Sequence, residues 1–291
     1  MAGSLAAKAR AIWIMMKPAQ LFLLSVTLFG AYFSAGGGLD ATKLLLLLAA
    51  GVGGIGGVTA LNMVFEADID SVMPRTSSRP IPVGIISPGE AAASVSVITL
   101  AGILAALAIN RYVAFAVLLG LVFDIIMYTE LAKRRTWINI VLGGVAGGAP
   151  ALGGWAAARG TIDIGGVLLA AVVMAWIPMH IWFISVYYKK DYALAGIPMA
   201  PVVFPERKVA TMVKVSLAIL TILMWLFTIA ERYGLLASVV ASTLSALAYR
   251  KVTLWERGPT RERARELFKF ASPIIAAVFI ALPIDYWLLH I

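Results

Sequence analysis

No cysteine occurs in the 291 residues, which excludes disulfides, thiolate metal sites and cysteine nucleophiles. Charge is scarce too: 13% of residues are Asp, Glu, Lys or Arg, against about 25% in an ordinary soluble domain. With only 15 acids and two histidines in the chain, acid–base or metal chemistry has few carriers. No strict internal repeat is visible, although a weak pseudo-repeat of two halves stays open.

Apolar residues fill the chain instead. They make up 61% of it and give a mean hydropathy of +0.92, which defines an integral membrane protein. Windows of about 20 apolar residues, the length needed to cross roughly 30 Å of hydrocarbon, fall at 19–36, 43–65, 89–109, 112–131, 137–158, 164–187, 209–229, 233–250 and 270–289. The expectation is an all-α polytopic protein with about nine transmembrane helices in a ring-like bundle, one domain over 1–291. The division between the third and fourth windows rests on Asn110 and Arg111. The basic and then apolar N-terminal stretch reads as helix one rather than as a cleaved leader.

Basic residues are retained in short cytoplasmic loops. With the N-terminus cytoplasmic and the C-terminus outside, 20 of the 24 Lys and Arg residues fall inside, leaving Lys43, Arg111, Arg159 and Arg232 on the far side. The net charge of +9 then follows from topology and attraction to anionic head groups, and no nucleic-acid partner is implied. This places the chain in the cell membrane.

Against that background, NMVFEADIDSVMPRTSSRPIP at 62–82 is anomalous, because it sets Glu66, Asp68 and Asp70 within five positions and follows them with Arg75 and Arg79. If the helix persists through Asp70, then Asn62, Glu66 and Asp70 share a face while Asp68 points elsewhere. Like charges on one face at a membrane edge require a cation. Two readings follow: an ion-pair cluster with Arg75 and Arg79, or a clamp in which Mg²⁺ bridges carboxylates to substrate phosphates that arginines also bind. The prolines of loops 67–88 and 188–208 make these structured caps over the site. Segment six ends on the same side in Tyr187, Tyr188, Lys189, Lys190 and Asp191.

Asn62, Glu66 and Asp70 match the N-x-x-x-D-x-x-x-D pattern of the UbiA-type intramembrane prenyltransferase superfamily. DIDSVMPRTSSRP resembles its heme O synthase (protoheme IX farnesyltransferase) branch. The likeness recurs in GIISPGEA at 84–91, YTELAKRRTWINIVLGGVAGGAPALGGWAA at 128–157, WIPMH at 176–180 and KKDYALAGIPMAPV at 189–202. Departures are Glu66 where Asp is usual, a proline two places before His180 rather than adjacent to it, and Asp191 as the sole acid of the second region.

The resemblance implies transfer of a farnesyl group from farnesyl diphosphate to the 2-vinyl group of heme B, with water added, giving heme O and diphosphate. Mg²⁺ is the implied cofactor and heme B a substrate. Asn62, Glu66, Asp70 and Asp191 are the implied metal and catalytic residues. Arg75, Arg79, Lys133 and Lys190, with Asp68, Tyr128 and His180, are the implied substrate-binding residues, in a site facing the cytoplasm. Membrane lipid and a downstream heme A-forming enzyme are the further expected partners.

Each has a plainer reading beside it. Lys133, Arg134 and Arg135 form a run that topology alone produces, and a lone His180 is more often a packed core residue. Asp124 within segment four is functional by default, but a hydrogen bond to a neighbouring helix would satisfy it. A sibling prenyltransferase with a quinone-precursor or glycerol-phosphate acceptor would share the clamp. An ion-coupled transporter would more often place its acids at the bilayer midplane. The motif of CDP-alcohol phosphotransferases is absent.

Overall fold

The computed structural model describes residues 4–290. Residues 1–3 and Ile291, and so the two termini expected inside and outside, lie outside the described residues. These residues are helical, with no strand among them. In chain order the helices are α1 (Leu5–Met15), α2 (Pro18–Ser34), α3 (Ala41–Phe65), the short α4 (Ala67–Val72), α5 (Pro88–Ile109), α6 (Arg111–Ala132), α7 (Asn139–Arg159) and α8 (Ile164–Tyr187). After them come the short α9 (Lys189–Leu194) and α10 (Ala200–Val203), then α11 (Glu206–Ala230), α12 (Leu236–Arg257) and α13 (Arg261–His290).

Seven of these helices are long and apolar enough to cross a membrane, and an eighth span results if α1 and α2, bent by 51°, count as one. These seven or eight do not by themselves confirm the expected count of about nine. The remaining expected window, 233–250, falls on α12, a helix of full length whose sequence LASVVASTLSALAYRKVTLWER is diluted by hydroxyls and four charged residues. It nonetheless packs lengthwise between α11 and α13.

Short polar signals set the corners. Asn110 takes an extended conformation between α5 and α6, and its side-chain oxygen accepts from the Tyr112 and Val113 amides, so one residue reverses the chain. Ser87 and Glu90 form a reciprocal capping box ahead of Pro88. Asp163 caps α8, and Asp285 of α13 reaches across to accept from the Leu236 and Ala237 amides that open α12.

The ring closes through α2, which packs on both α13 and α7. Glycine permits that closeness: a Cβ at Gly154 would lie 1.9 Å from the Leu28 carbonyl oxygen, and one at Gly53 would lie 2.5 Å from the Gly102 Cα. Without a hydrophobic drive between helices in lipid, such backbone proximity supplies the packing contacts.

Two stretches depart from α-helical winding. Val52–Gly57 in α3 and Val122–Ala132 in α6 are π-helical. Both border the interior cavity, in keeping with the tendency of π segments to occur at functional sites.

Candidate functional site

The helices enclose a cavity of about 560 Å³. One end is charged: Glu66, Asp70 and Asp124 face Lys17, Arg75, Arg79 and Lys133, three carboxylates against four cations. Behind them the wall is apolar and glycine-rich, with Trp176, His180, Phe268 and Ser272 along the α8 and α13 side.

The acid motif behaves as its spacing implies. The chain turns at Glu66, yet Asn62, Glu66 and Asp70 are all buried and all line the cavity. The Asn62 Nδ2 donates to Glu66 Oε1 (3.0 Å) and to Thr129 Oγ1 (2.6 Å), and Thr129 donates to the Asp124 carbonyl (2.7 Å). Both Asn62 donors are thereby spent, and its carbonyl oxygen is left as an acceptor.

Two of the three carboxylates each have their own cation. Glu66 pairs with Lys133. Arg79 Nη1 donates to both Asp70 oxygens at 2.7 and 2.6 Å. Burial disfavours ionised Glu66, but the Lys133 ammonium outweighs it and holds the carboxyl below its ordinary value. The Lys133 ammonium is held above its own value, because Glu66 outweighs the burial that opposes it. The pair is therefore ionised, and an anionic ligand competes for a formed cation.

Arg75 departs from the expected acid pairing. Its backbone amide donates to Asp191 Oδ2 (3.1 Å), its Nη2 donates to the Tyr192 hydroxyl (3.2 Å), and its guanidinium lies 4.9 Å above the Tyr188 ring. Its Nε is buried without a partner among the described residues. An unmade donor of this kind on a cavity wall is a costly arrangement unless a ligand completes it.

Three candidates lie elsewhere. Asp68 is exposed and held by Arg134 through two 2.8 Å bonds, which lower its carboxyl below the ordinary range. As expected it points away from Asn62, Glu66 and Asp70, and it is not among the residues lining the cavity. Lys190 is exposed and off the cavity wall. Asp191 is set back from the wall and ties loop 67–88 to the segment after α8. Among the described residues no three His, Asp or Glu side chains come close enough to hold a metal ion.

Tyr128 and His180 do reach the cavity. The Lys133 ammonium lies 5.3 Å from the Tyr128 ring centroid. His180 is layered between Trp176 (4.6 Å between ring centroids) and Phe268 (4.5 Å), with Nδ1 3.5 Å from Ser272 Oγ.

Lys17 is a wall residue that motif reading passes over. It occupies the left-handed region (φ 48°) at the bend between α1 and α2, a conformation costing a non-glycine residue about 1–2 kcal/mol. A basic residue directly before Pro18 marks a helix break and is the available signal.

These features define a class: a polytopic helical-bundle protein with a membrane-embedded cavity, acid–base paired at one end and apolar and aromatic behind. The chain belongs to the UbiA prenyltransferase family, which matches residues 23–273. It is 48% identical to the protoheme IX farnesyltransferase of Aeropyrum pernix over 97% of this chain and 94% of that protein. It is 42% identical to that of Korarchaeum cryptofilum over 92% and 91%. A UbiA homolog from Aeropyrum pernix superposes with a TM-score of 0.72 at 24% identity, covering 92% of this chain and 98% of that one. A homolog from Archaeoglobus fulgidus bound to GPP and Mg²⁺ gives 0.64 at 16% identity, covering 94% and 99%. At these identities the likeness to the solved structures concerns the fold.

Proposed function

We propose that the protein transfers the farnesyl group of farnesyl diphosphate to a vinyl group of heme B and, with addition of water, releases heme O and diphosphate. The names of relatives up to 48% identical over nearly the whole chain support this. The single structural observation that carries it is the cavity itself: unpaired Arg75 Nε and a surplus of cations beside Asn62, Glu66 and Asp70, opening onto an apolar interior.

Arg75, Lys17 and Lys133 bind the diphosphate and stabilise the charge that grows on it as the C1–O bond breaks. The electron pair of that bond leaves with diphosphate. The vinyl π pair of heme then forms the new C–C bond to C1, and the remaining carbocation is captured by water, which loses a proton. The apolar wall holds the prenyl chain and keeps water from C1 until the C–C bond has formed.

Glu66 and Asp70 fit Mg²⁺, which binds through one or two carboxylates plus substrate phosphates rather than in an all-protein cage. The lack of a three-acid cluster among the described residues is consistent with a site that diphosphate completes. When bound, Mg²⁺ supplies further charge neutralisation to the leaving diphosphate. Asn62, whose carbonyl oxygen is unspent, is the third holder. Asp191 acts at one remove, through the Arg75 backbone, as a positioning residue. In this reading Lys190 serves the general positive potential of the face.

Purified protein incubated with heme B, farnesyl diphosphate and Mg²⁺ should yield a heme heavier by one farnesyl group and one hydroxyl. Modification of a quinone precursor or glycerol phosphate instead, with heme unchanged, overturns the acceptor assignment.

The site faces the cytoplasm of the cell membrane in this proposal, because Glu66, Lys133 and the arginines stand in the segments that the expected topology groups with 20 of the 24 basic residues. A reporter fused after Ile291 should read as outside, and one inserted within 251–265 as inside. The reverse pattern would place the active site on the opposite face.

A further inference from the structure

Arg261 and Arg265, at the start of α13, take no part in the diphosphate end of the cavity. Both are exposed, and both guanidiniums are drawn to one ring, with Cζ 4.3 Å and 5.2 Å from the Tyr187 centroid. Neither pairs with a carboxylate of the described residues. Two like charges held together without a counter-ion create a local potential suited to a dianion.

Their position ties them to the cavity in two ways. On α13, residues 261, 265, 268 and 272 recur at the i, i+4, i+7 and i+11 spacing of a single helix face, and Phe268 and Ser272 of that stripe line the cavity. On α8, His180 and Ile184 line it and Tyr187 lies on the next turn of the same face. Laterally, the Tyr187 and Tyr188 rings are 4.7 Å apart, and the cavity residue Arg75 lies 4.9 Å above Tyr188. The pair therefore sits at the rim of the α8–α13 wall. Arg261 lies seven residues from Phe268 and Tyr187 seven from His180, about 10 Å of rise along either helix, while Arg265 lies three residues, about 4.5 Å, from Phe268.

We propose that Arg261 and Arg265 bind the two propionate carboxylates of the tetrapyrrole acceptor, with its apolar macrocycle against His180 and Phe268. This assignment rests on the acceptor reading above and deepens it. A planar body with two carboxylates on one edge has the shape of this wall: aromatic below, twin guanidiniums above, separated by a distance comparable with that from the macrocycle centre to its carboxylates. Guanidinium is the fitting donor because its planar fork meets carboxylate bidentately. Anchoring the propionate edge at the rim turns the opposite, vinyl-bearing edge inward, toward the prenyl donor.

The test is a binding titration with full-length protein in phosphatidylcholine nanodiscs, comparing heme B with its dimethyl ester and following heme absorbance and tryptophan quenching. The unsubstituted protein should bind heme B about a hundredfold tighter than the ester, roughly tenfold per charge-assisted contact. Arg261→Gln/Arg265→Gln should lower heme B affinity to that of the ester, leaving ester and farnesyl diphosphate affinities unchanged. Each single variant should lose about tenfold, a readout that survives poor folding of the double variant. Equal affinity of the unsubstituted protein for heme B and ester overturns this assignment alone. Failure to bind either tetrapyrrole overturns both it and the acceptor reading. Unchanged heme affinity in the double variant, with weakened retention on phosphatidylglycerol vesicles, assigns the pair to lipid head groups and overturns the proposal.

Discussion

Asp70→Asn is expected to lower turnover about 10³-fold, the scale on which removal of one preorganised electrostatic group acts, while the bundle stays folded. The change keeps shape and removes charge. Asp70 is buried and grips Arg79 through both oxygens, so an uncharged amide loses the carboxylate proposed to hold Mg²⁺ and frees the arginine from its partner. A merely structural pair gives the opposite signature, namely a lower thermal midpoint with substantial activity in the folded fraction. The decisive measurement is steady-state turnover over a Mg²⁺ series beside a melting curve. Activity near the unsubstituted level at ordinary Mg²⁺ would return the motif to the ion-pair reading.

His180→Ala should act on the other half of the reaction. The imidazole is held between Trp176 and Phe268 and lines the cavity. Its removal opens a gap where the macrocycle would rest and takes away a group able to ligate iron. Product formation should fall about 10²-fold, the cost of a displaced reactant, with heme B affinity weakened and farnesyl diphosphate affinity nearly intact. Asp70→Asn should show the converse binding pattern. Heme affinity unchanged in a folded His180→Ala protein would make this histidine a packing residue.

The two variants also separate the site by origin. The charged end is built from α3, α4 and the loop after it, and the end of α6, and most of its members stand in one continuous stretch of sequence. The aromatic wall is assembled from α8 and α13, whose contributing residues are some 90 positions apart, as the 92-residue separation of His180 and Ser272 illustrates. A local motif therefore announces the first, and only helix packing creates the second.

By itself the sequence determined the membrane class and the all-helical architecture and pointed to the charged end of the cavity, because each depends on local properties. Hydrophobic length sets the spans, and the spacing of Asn62, Glu66 and Asp70 groups them, although the turn at Glu66 makes their common burial a result of the fold as well. The expected window at 233–250 falls on α12, whose hydroxyls and charges, tolerated between α11 and α13, make it less apolar than the other spans.

What the tertiary structure decided is which charges face inward. In an α-helix, nine residues from Asp124 to Lys133 amount to two and a half turns and would put the two on opposite faces. The π-helical winding of 122–132, whose i→i+5 bonding puts more residues into each turn than an α-helix does, brings that interval nearer to two whole turns. Asp124, Tyr128 and Lys133 thus meet in one cavity. Lys17 enters through a left-handed bend, Asp68 is drawn outward by Arg134, and Lys190 stays exposed while Asp191 becomes a loop tie. Spacing indicates only that Asp68 leaves the shared face and Pro18 only that the helix breaks near Lys17; the partners and positions do not follow from residue type or spacing. Each depends on which partner the fold brings within hydrogen-bonding distance, and on helix winding that departs from the period on which sequence patterns are read.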